Sequence, residues 1–190
     1  MSQAKTLSEN EIQQVLNCVG EKKFGVRDRA LVLISHYSGM RVGEIASLTV
    51  GHVLDINEKI KSEIRLTAEQ TKGKHPRTVF VSSKLKAELA NYIQTIRVDD
   101  KERALFTTQK SPRRGFTANT LTQHFLNIYK AAGIDGASSH SGRRTYATTI
   151  ASQGVGLRVL MRLMGHRNVS TTAVYIDAND NMLRNAVELV

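Results

Sequence analysis

Apolar positions recur at helical spacing along most of the chain. From Ser8 to Val19, residues Ile12, Val15, Leu16 and Val19 fall three and four apart, which lines one face of a helix. Ser8 and Glu11 fit a capping box at its start, and Gly20 is a natural stop. A second helix is predicted from about Val26 to Tyr37, broken by Ser38-Gly39, and a short third one from about Val42 to Leu48. The pattern then changes. His52-Val53-Leu54-Asp55-Ile56, Ile64-Arg65-Leu66-Thr67 and Thr78-Val79-Phe80-Val81 alternate or are rich in β-branched residues. They predict a small three-stranded antiparallel sheet. Thr71-Lys72-Gly73-Lys74-His75-Pro76 would form a cationic hairpin tip between the last two strands. Helical spacing resumes over Lys84–Ile96, Ala118–Ala132, His140–Gln153, about Val155–Met164, Ser170–Ile176 and an amphipathic tail, Asp180–Leu189. Thr107 to Gly115, with Arg113 and Arg114, reads as a basic loop. The expected fold class is mainly α with a small antiparallel β-sheet (α+β), in one domain.

Composition narrows the classes. The 190 residues carry 27 Lys+Arg against 17 Asp+Glu, a formal charge of +10, with 41% apolar residues, enough for a core. The longest apolar run, Ala30–Ile34, is far too short to span a bilayer. The polar N-terminus lacks the apolar stretch of a signal peptide. The single cysteine, Cys18, makes no intrachain disulfide and no cysteine-based zinc site. The excess of cations favours a polyanionic partner, nucleic acid or an anionic membrane surface, over a basic protein with no special partner.

No Gly-rich nucleotide loop and no paired-histidine zinc motif is present. What remains is a scatter of cations and hydroxyls at element boundaries. Arg41 stands at a helix start, where the dipole disfavours a cation and a compensating partner is expected. Lys72 is on the hairpin tip, His140 and Arg143 share a helical face, His166 follows Gly165, and Tyr175 lies nine residues on. Each has an ordinary structural reading: a solvated first turn, a soluble turn, helix-end hydrogen bonds, or a core aromatic. Together they would suit the transesterification of a phosphodiester. Guanidiniums fork onto phosphate, an ammonium donates a proton, and a phenol attacks phosphorus. Side-chain cations would neutralise the transition state in place of a metal pair.

Tyr37-Ser-Gly-Met-Arg41-Val-Gly-Glu44-Ile-Ala-Ser-Leu48 resembles the first arginine box of the tyrosine recombinase (phage integrase) family. Ser139-His140-Ser-Gly-Arg143-Arg-Thr-Tyr-Ala-Thr resembles its second box, and Leu163-Met-Gly-His166 through Tyr175 its terminal box. Thr71-Lys72-Gly73 lies where the family carries a lysine on a β-hairpin. The resemblance runs from about Leu7 to the end. It implies a site-specific DNA recombinase or integrase working through a 3′-phosphotyrosyl link to Tyr175, without ATP, cofactor or metal. Arg41, Arg143 and His166 would hold the scissile phosphate, and Lys72 would protonate the leaving 5′-oxygen. His140 would assist as acid and base, and Glu44 would orient the arginines. Two positions depart from the family pattern. Arg144 stands where histidine is frequent, and Gly142 where a bulky apolar residue is usual.

The same resemblance implies a catalytic domain over residues 1–178 and a tail over 179–190. That tail either packs on its own subunit or exchanges onto a neighbour. The N-terminal core-binding domain is expected to be absent, in a naturally short member or a fragment. The expected partners are double-stranded DNA, further copies of the chain in a tetramer on DNA, and accessory DNA-bending proteins, in the cytoplasm and with no membrane. Further DNA contacts are expected from Lys74, Arg77, Arg113, Arg114, Arg144, Arg158, Arg162 and Arg167. The rival readings are a non-cutting DNA-binding regulator on the same fold and a type IB-like topoisomerase.

Overall fold

The computed structural model describes residues 3–109, 111, 114–176, 184, 187 and 188. Arg113 and most of the tail expected as a helix lie outside the described residues. Helix α1 (Glu9–Gly20) starts at the anticipated box: Ser8 Oγ accepts from the Glu11 amide, and the Glu11 carboxylate accepts from the Ser8 amide. Its apolar stripe, Ile12, Val15, Leu16 and Val19, is buried. Helix α2 (Gly25–Ser38) is buried on most of its surface and forms the central post. Around it stand α5 (Ser83–Ile93), α6 (Ala118–Ala131) and α7 (Ser141–Ser152). Short helices α3 (Val42–Ala46) and α4 (Val50–Val53) follow α2. Helices α8 (Leu157–Met164) and α9 (Val169–Ala173) close the described fold.

The sheet has two strands. Strand β1 (Glu63–Leu66) pairs antiparallel with β2 (Arg77–Phe80), Ile64 opposite Val79 and Leu66 opposite Arg77. Ile64, Leu66 and Val79 face the core. The third strand expected at His52–Ile56 does not form. Val50 and Val53, three apart, both bury as one turn of α4, and Leu54 makes only an isolated bridge to Ile60. Ile56, the last apolar residue of that alternating stretch, is 88% exposed in the turn that follows.

Two cores result. The larger one gathers α1, α2, α5, α6 and the sheet around Leu31, Leu33, Ile34, Leu89 and Phe125. The smaller one joins Ala147 and Ala151 of α7 to Leu160 and Met164 of α8, with Tyr146 and Tyr175 against it. Two glycines allow α7 to reach α2. A Cβ on Gly142 would lie 2.5 Å from Ser35 Oγ, so no larger residue fits the α2–α7 crossing. Gly39 ends α2 in the left-handed region (φ 60°), a conformation that suits glycine, and the Tyr146 ring sits against it. Among the described residues no helix is long and apolar enough to cross a membrane.

Candidate active site

The site is assembled where α3, the β1–β2 connection, the start of α7 and the α8–α9 turn meet. Arg41 is the N-cap residue of α3, and its expected partner is Glu44. The Glu44 carboxylate accepts from the Arg41 amide at 2.7 Å and from Arg41 Nη1 at 3.2 Å. An acid at this position offsets the helix-start field that would repel a guanidinium. Glu44 is 1% exposed. Burial by itself would raise its pKa. The hydrogen bond and charge of Arg77, then the Arg41 amide and the charge of Arg143, outweigh burial and hold the carboxyl below the usual range.

Arg77 takes a different place from the one its sequence neighbourhood suggested. Its Nη2 and Nε donate to Glu44 at 2.7 and 3.2 Å, its Nη1 donates to the Leu163 carbonyl at 3.0 Å, and its side chain is only 9% exposed. Each nitrogen of this guanidinium has a partner inside the protein, while the residue also lines the open groove above the site. Arg77 clamps β2 to α3 and to the end of α8.

Arg143 is buried beneath the site. Nη1 donates to the Gly39 carbonyl, and Nη2 donates to the Met164 carbonyl at 2.6 Å. One side chain thus ties the end of α2 to the end of α8. Nη2 also contacts His166 Nε2 at 2.9 Å. Burial, then the charge of Arg41, pushes this guanidinium down to about 9, with Glu44 opposing, so it stays cationic at neutral pH. His166 follows Gly165, which closes α8 in the left-handed region. Its Nδ1 lies 2.9 Å from Thr172 Oγ1 on α9. Burial, then the charges of Arg143, Arg41 and Arg77, lowers the imidazole to about 4, so the ring is neutral at neutral pH.

Tyr175 lies in the turn just past α9, which ends at Ala173 and not at Ile176 as its spacing suggested. Its ring stacks on His166 with centroids 6.1 Å apart, and Arg144 lies 5.9 Å above the Tyr175 ring. The phenol is within electrostatic reach of Arg143. His140, exposed at the start of α7, feels the charges of Arg143, Arg41 and Lys72. Partial burial first, then those three cations, keeps its pKa low. Lys72 is exposed on the tip, where Thr71 Oγ1 donates to the His75 carbonyl at 2.8 Å and accepts from its amide at 3.1 Å. Gln70 Nε2 ties the base of this tip to the Ser47 carbonyl at 3.1 Å, next to α3.

Thus Arg41, Lys72, His140, Arg143, His166 and Tyr175, spread over most of the sequence, share one electrostatic neighbourhood. An open groove of about 1240 Å³ runs over it, walled by Arg41, Lys72, His166, Arg162 and Arg167. Lys74, Arg114 and Arg158 are exposed elsewhere on the surface, and Arg144 is half-buried over Tyr175. Two groups escaped the sequence. Thr172 sits in a Ser-Thr-Thr run that carried no signal. The commitment of Arg77 to Glu44 depends on a contact 33 residues apart. Among the described residues no cluster of three or more His, Cys, Asp or Glu is placed to hold a metal ion.

A mainly helical domain with a two-stranded sheet, in which Arg41 and His166 line an open basic groove while Arg143 and Tyr175 pack against His166, defines a class suited to phosphoryl chemistry. The chain belongs to the phage integrase family, whose model matches residues 5–182. It is 28% identical over 184 residues to the tyrosine recombinase XerA of Pyrococcus furiosus, a match covering 97% of this chain and 61% of that protein. It is similar to a solved XerA recombinase (TM-score 0.75, 27% identity), covering 100% of this chain and 66% of that one. A Tn1549 transposon integrase solved in complex with a circular intermediate DNA shares the fold (TM-score 0.76, 18% identity), covering 100% of this chain and 67% of that one. The chain spans about three-fifths of the length of the XerA relative.

Proposed function

We propose that the chain carries the strand-cleaving and rejoining centre of a site-specific DNA recombinase. The phenolic oxygen of Tyr175 attacks the scissile phosphorus and forms a 3′-phosphotyrosyl bond as the P–O5′ bond breaks. The phenolic proton passes to His140, whose lowered pKa leaves it neutral and able to accept at neutral pH. The leaving 5′-oxygen takes its proton from Lys72 on the hairpin tip. A 5′-hydroxyl of a partner strand then attacks the phosphotyrosine and restores the phosphodiester. One ester is exchanged for another at each step, so the bond energy is retained and no ATP is consumed.

The negative charge of the pentavalent transition state meets Arg41 and Arg143, with His166 beside them. Preorganised donors of this kind supply the largest single share of many rate enhancements. Glu44 and Arg77 keep Arg41 in place. The basic groove takes duplex DNA, and copies of the chain pair on it as a homo-oligomer. The observation that carries this reading is the convergence of Arg41, Arg143, His166 and Tyr175 around one position from four separate elements.

A nicked suicide duplex tests it, because loss of a short 5′ fragment prevents rejoining. The wild-type chain is expected to accumulate a covalent protein–DNA adduct on denaturing gels, and Tyr175→Phe none. Duplex binding by wild type with no adduct would instead point to a non-cutting DNA-binding regulator. Relaxation of supercoils by a monomer, without a second recombining site, would point to a topoisomerase-like activity.

A further inference from the structure

His166 makes contacts at both ring nitrogens, and the two contacts have different freedom. Nε2 faces Arg143 Nη2 at 2.9 Å. A guanidinium nitrogen offers only N–H donors, so Nε2 must accept. The ring is neutral, so the proton sits on Nδ1 and is donated to Thr172 Oγ1 at 2.9 Å. Thr172 is completely buried on α9, so no water substitutes for that hydroxyl. This arrangement suits the empty site. It does not suit a bound phosphoryl oxygen, which is an acceptor and requires a donor at Nε2.

We propose that Thr172 is a positioning residue that lets His166 exchange tautomers when a phosphoryl group enters. The inference rests on the phosphoryl-transfer reading above. Without a phosphoryl group the Thr172 hydroxyl accepts from Nδ1–H while Nε2 accepts from Arg143. With one, Arg143 turns its N–H toward the phosphoryl oxygens. Nδ1 loses a proton to solvent, Nε2 gains one from solvent, and the Thr172 hydroxyl rotates to donate to Nδ1. The ring keeps its charge and its proton count. A hydroxyl is both donor and acceptor, so it can hold the ring in both states. A carbonyl or a carboxylate would hold only one.

The test combines a tautomer readout with a kinetic one. The full chain, labelled with ¹⁵N-histidine, is observed by NMR alone and with saturating orthovanadate, a phosphoryl mimic that needs no DNA. His166 is expected as the Nδ1–H tautomer in the free chain and as Nε2–H with orthovanadate. Thr172→Val removes the hydroxyl at nearly constant shape. It should leave the free-state Nδ1–H tautomer, which Arg143 fixes, but impair the exchange to Nε2–H with orthovanadate and slow adduct formation about tenfold to a hundredfold, the range found for outer partners of metal-binding histidines. Duplex binding should be unchanged, and Thr172→Ser should restore both exchange and rate. An Nε2–H tautomer in the free wild-type chain overturns the inference, as does a Thr172→Val chain with wild-type tautomers and rate. If Thr172→Val fails to fold, the wild-type and Thr172→Ser spectra still decide. Should wild type form no adduct while the tautomer exchange occurs as expected, the recombinase reading fails and the Thr172 assignment stands.

Discussion

At the scale of single residues, the site is a concentration of like charge that the fold must hold together. Arg41, Arg77 and Arg143 share a single buried carboxylate, Glu44, as their nearest counter-charge. Removing one partner from such a cluster is expensive because the remaining charge stays desolvated. His166 and His140 answer the same field by remaining neutral. His166 is lowered from 6.5 to about 4, and His36 and His140 are lowered too, each by burial first and then by cations nearby. This has a consequence for stability. Below about pH 6.5 the unfolded chain protonates these histidines while the folded chain resists, so the unfolded state binds more protons and stability decreases as the pH is lowered. Glu44 acts in the same direction lower down. Its folded pKa lies under the unfolded value of 4.5, so its contribution is present above that pH and is lost as pH falls through the folded value. Urea titrations from about pH 8 to about pH 4 should show the midpoint declining from near 6.5, and His166→Gln should flatten the upper part of that decline. A midpoint constant down to about pH 4.5 would show that these histidines titrate freely in the folded chain.

At the scale of elements, the helices were legible because their signals are local. The Ser8–Glu11 box and the buried stripe of α1 occur as the spacing predicts, and α6 likewise starts at Thr117 with Leu121, Phe125, Ile128 and Tyr129 inward. The third strand was misread because five alternating residues cannot by themselves distinguish a strand from one helical turn and a loop. The outcome turned on Val50 pairing with Val53, and on Ile56 remaining in solvent. The six candidate site residues were legible as motifs, whereas Thr172 and the inward turn of Arg77 depend on contacts that only packing creates. Gly142 shows the same limit. In a helix it is a poor residue by about 1 kcal/mol against alanine, and its reason for being there is a neighbour more than a hundred residues away. Gly142→Ala should destabilise the chain by about 1–3 kcal/mol despite the better helix propensity, because the new methyl meets Ser35 Oγ at 2.5 Å and α7 must retreat from α2. Arg143 is carried on α7, so the adduct rate should fall as well. Adding Ser35→Ala removes the nearest clashing atom and should recover part of both losses, a coupling that paired denaturation curves measure. If Gly142→Ala stabilises the chain, α7 does not pack so closely against α2.

At the scale of the whole molecule, the net charge of +10 is divided between two kinds of cation. Arg77 and Arg143 are turned inward and hold the site together. Arg162 and Arg167 wall the groove, while Lys74, Arg114 and Arg158 lie exposed around the fold. In the proposed complex Arg143 is reserved for the scissile phosphate, and cations of the second kind displace counterions along the rest of the duplex. Each phosphate contact contributes about 0.9 to the slope of log affinity against log salt. Arg162→Gln and Arg167→Gln should therefore each make that slope shallower by about one, with little change in stability. Arg77→Gln should do the reverse. Its slope should match wild type, while stability falls by about 3 kcal/mol as the Glu44 carboxylate loses its main partner in a buried setting. Anisotropy titrations of a labelled duplex at several salt concentrations, alongside urea denaturation of the same variants, separate the two groups. A shallower slope for Arg77→Gln without loss of stability would mean that its guanidinium reaches DNA, leaving Glu44 to be balanced by Arg41 and Arg143 alone.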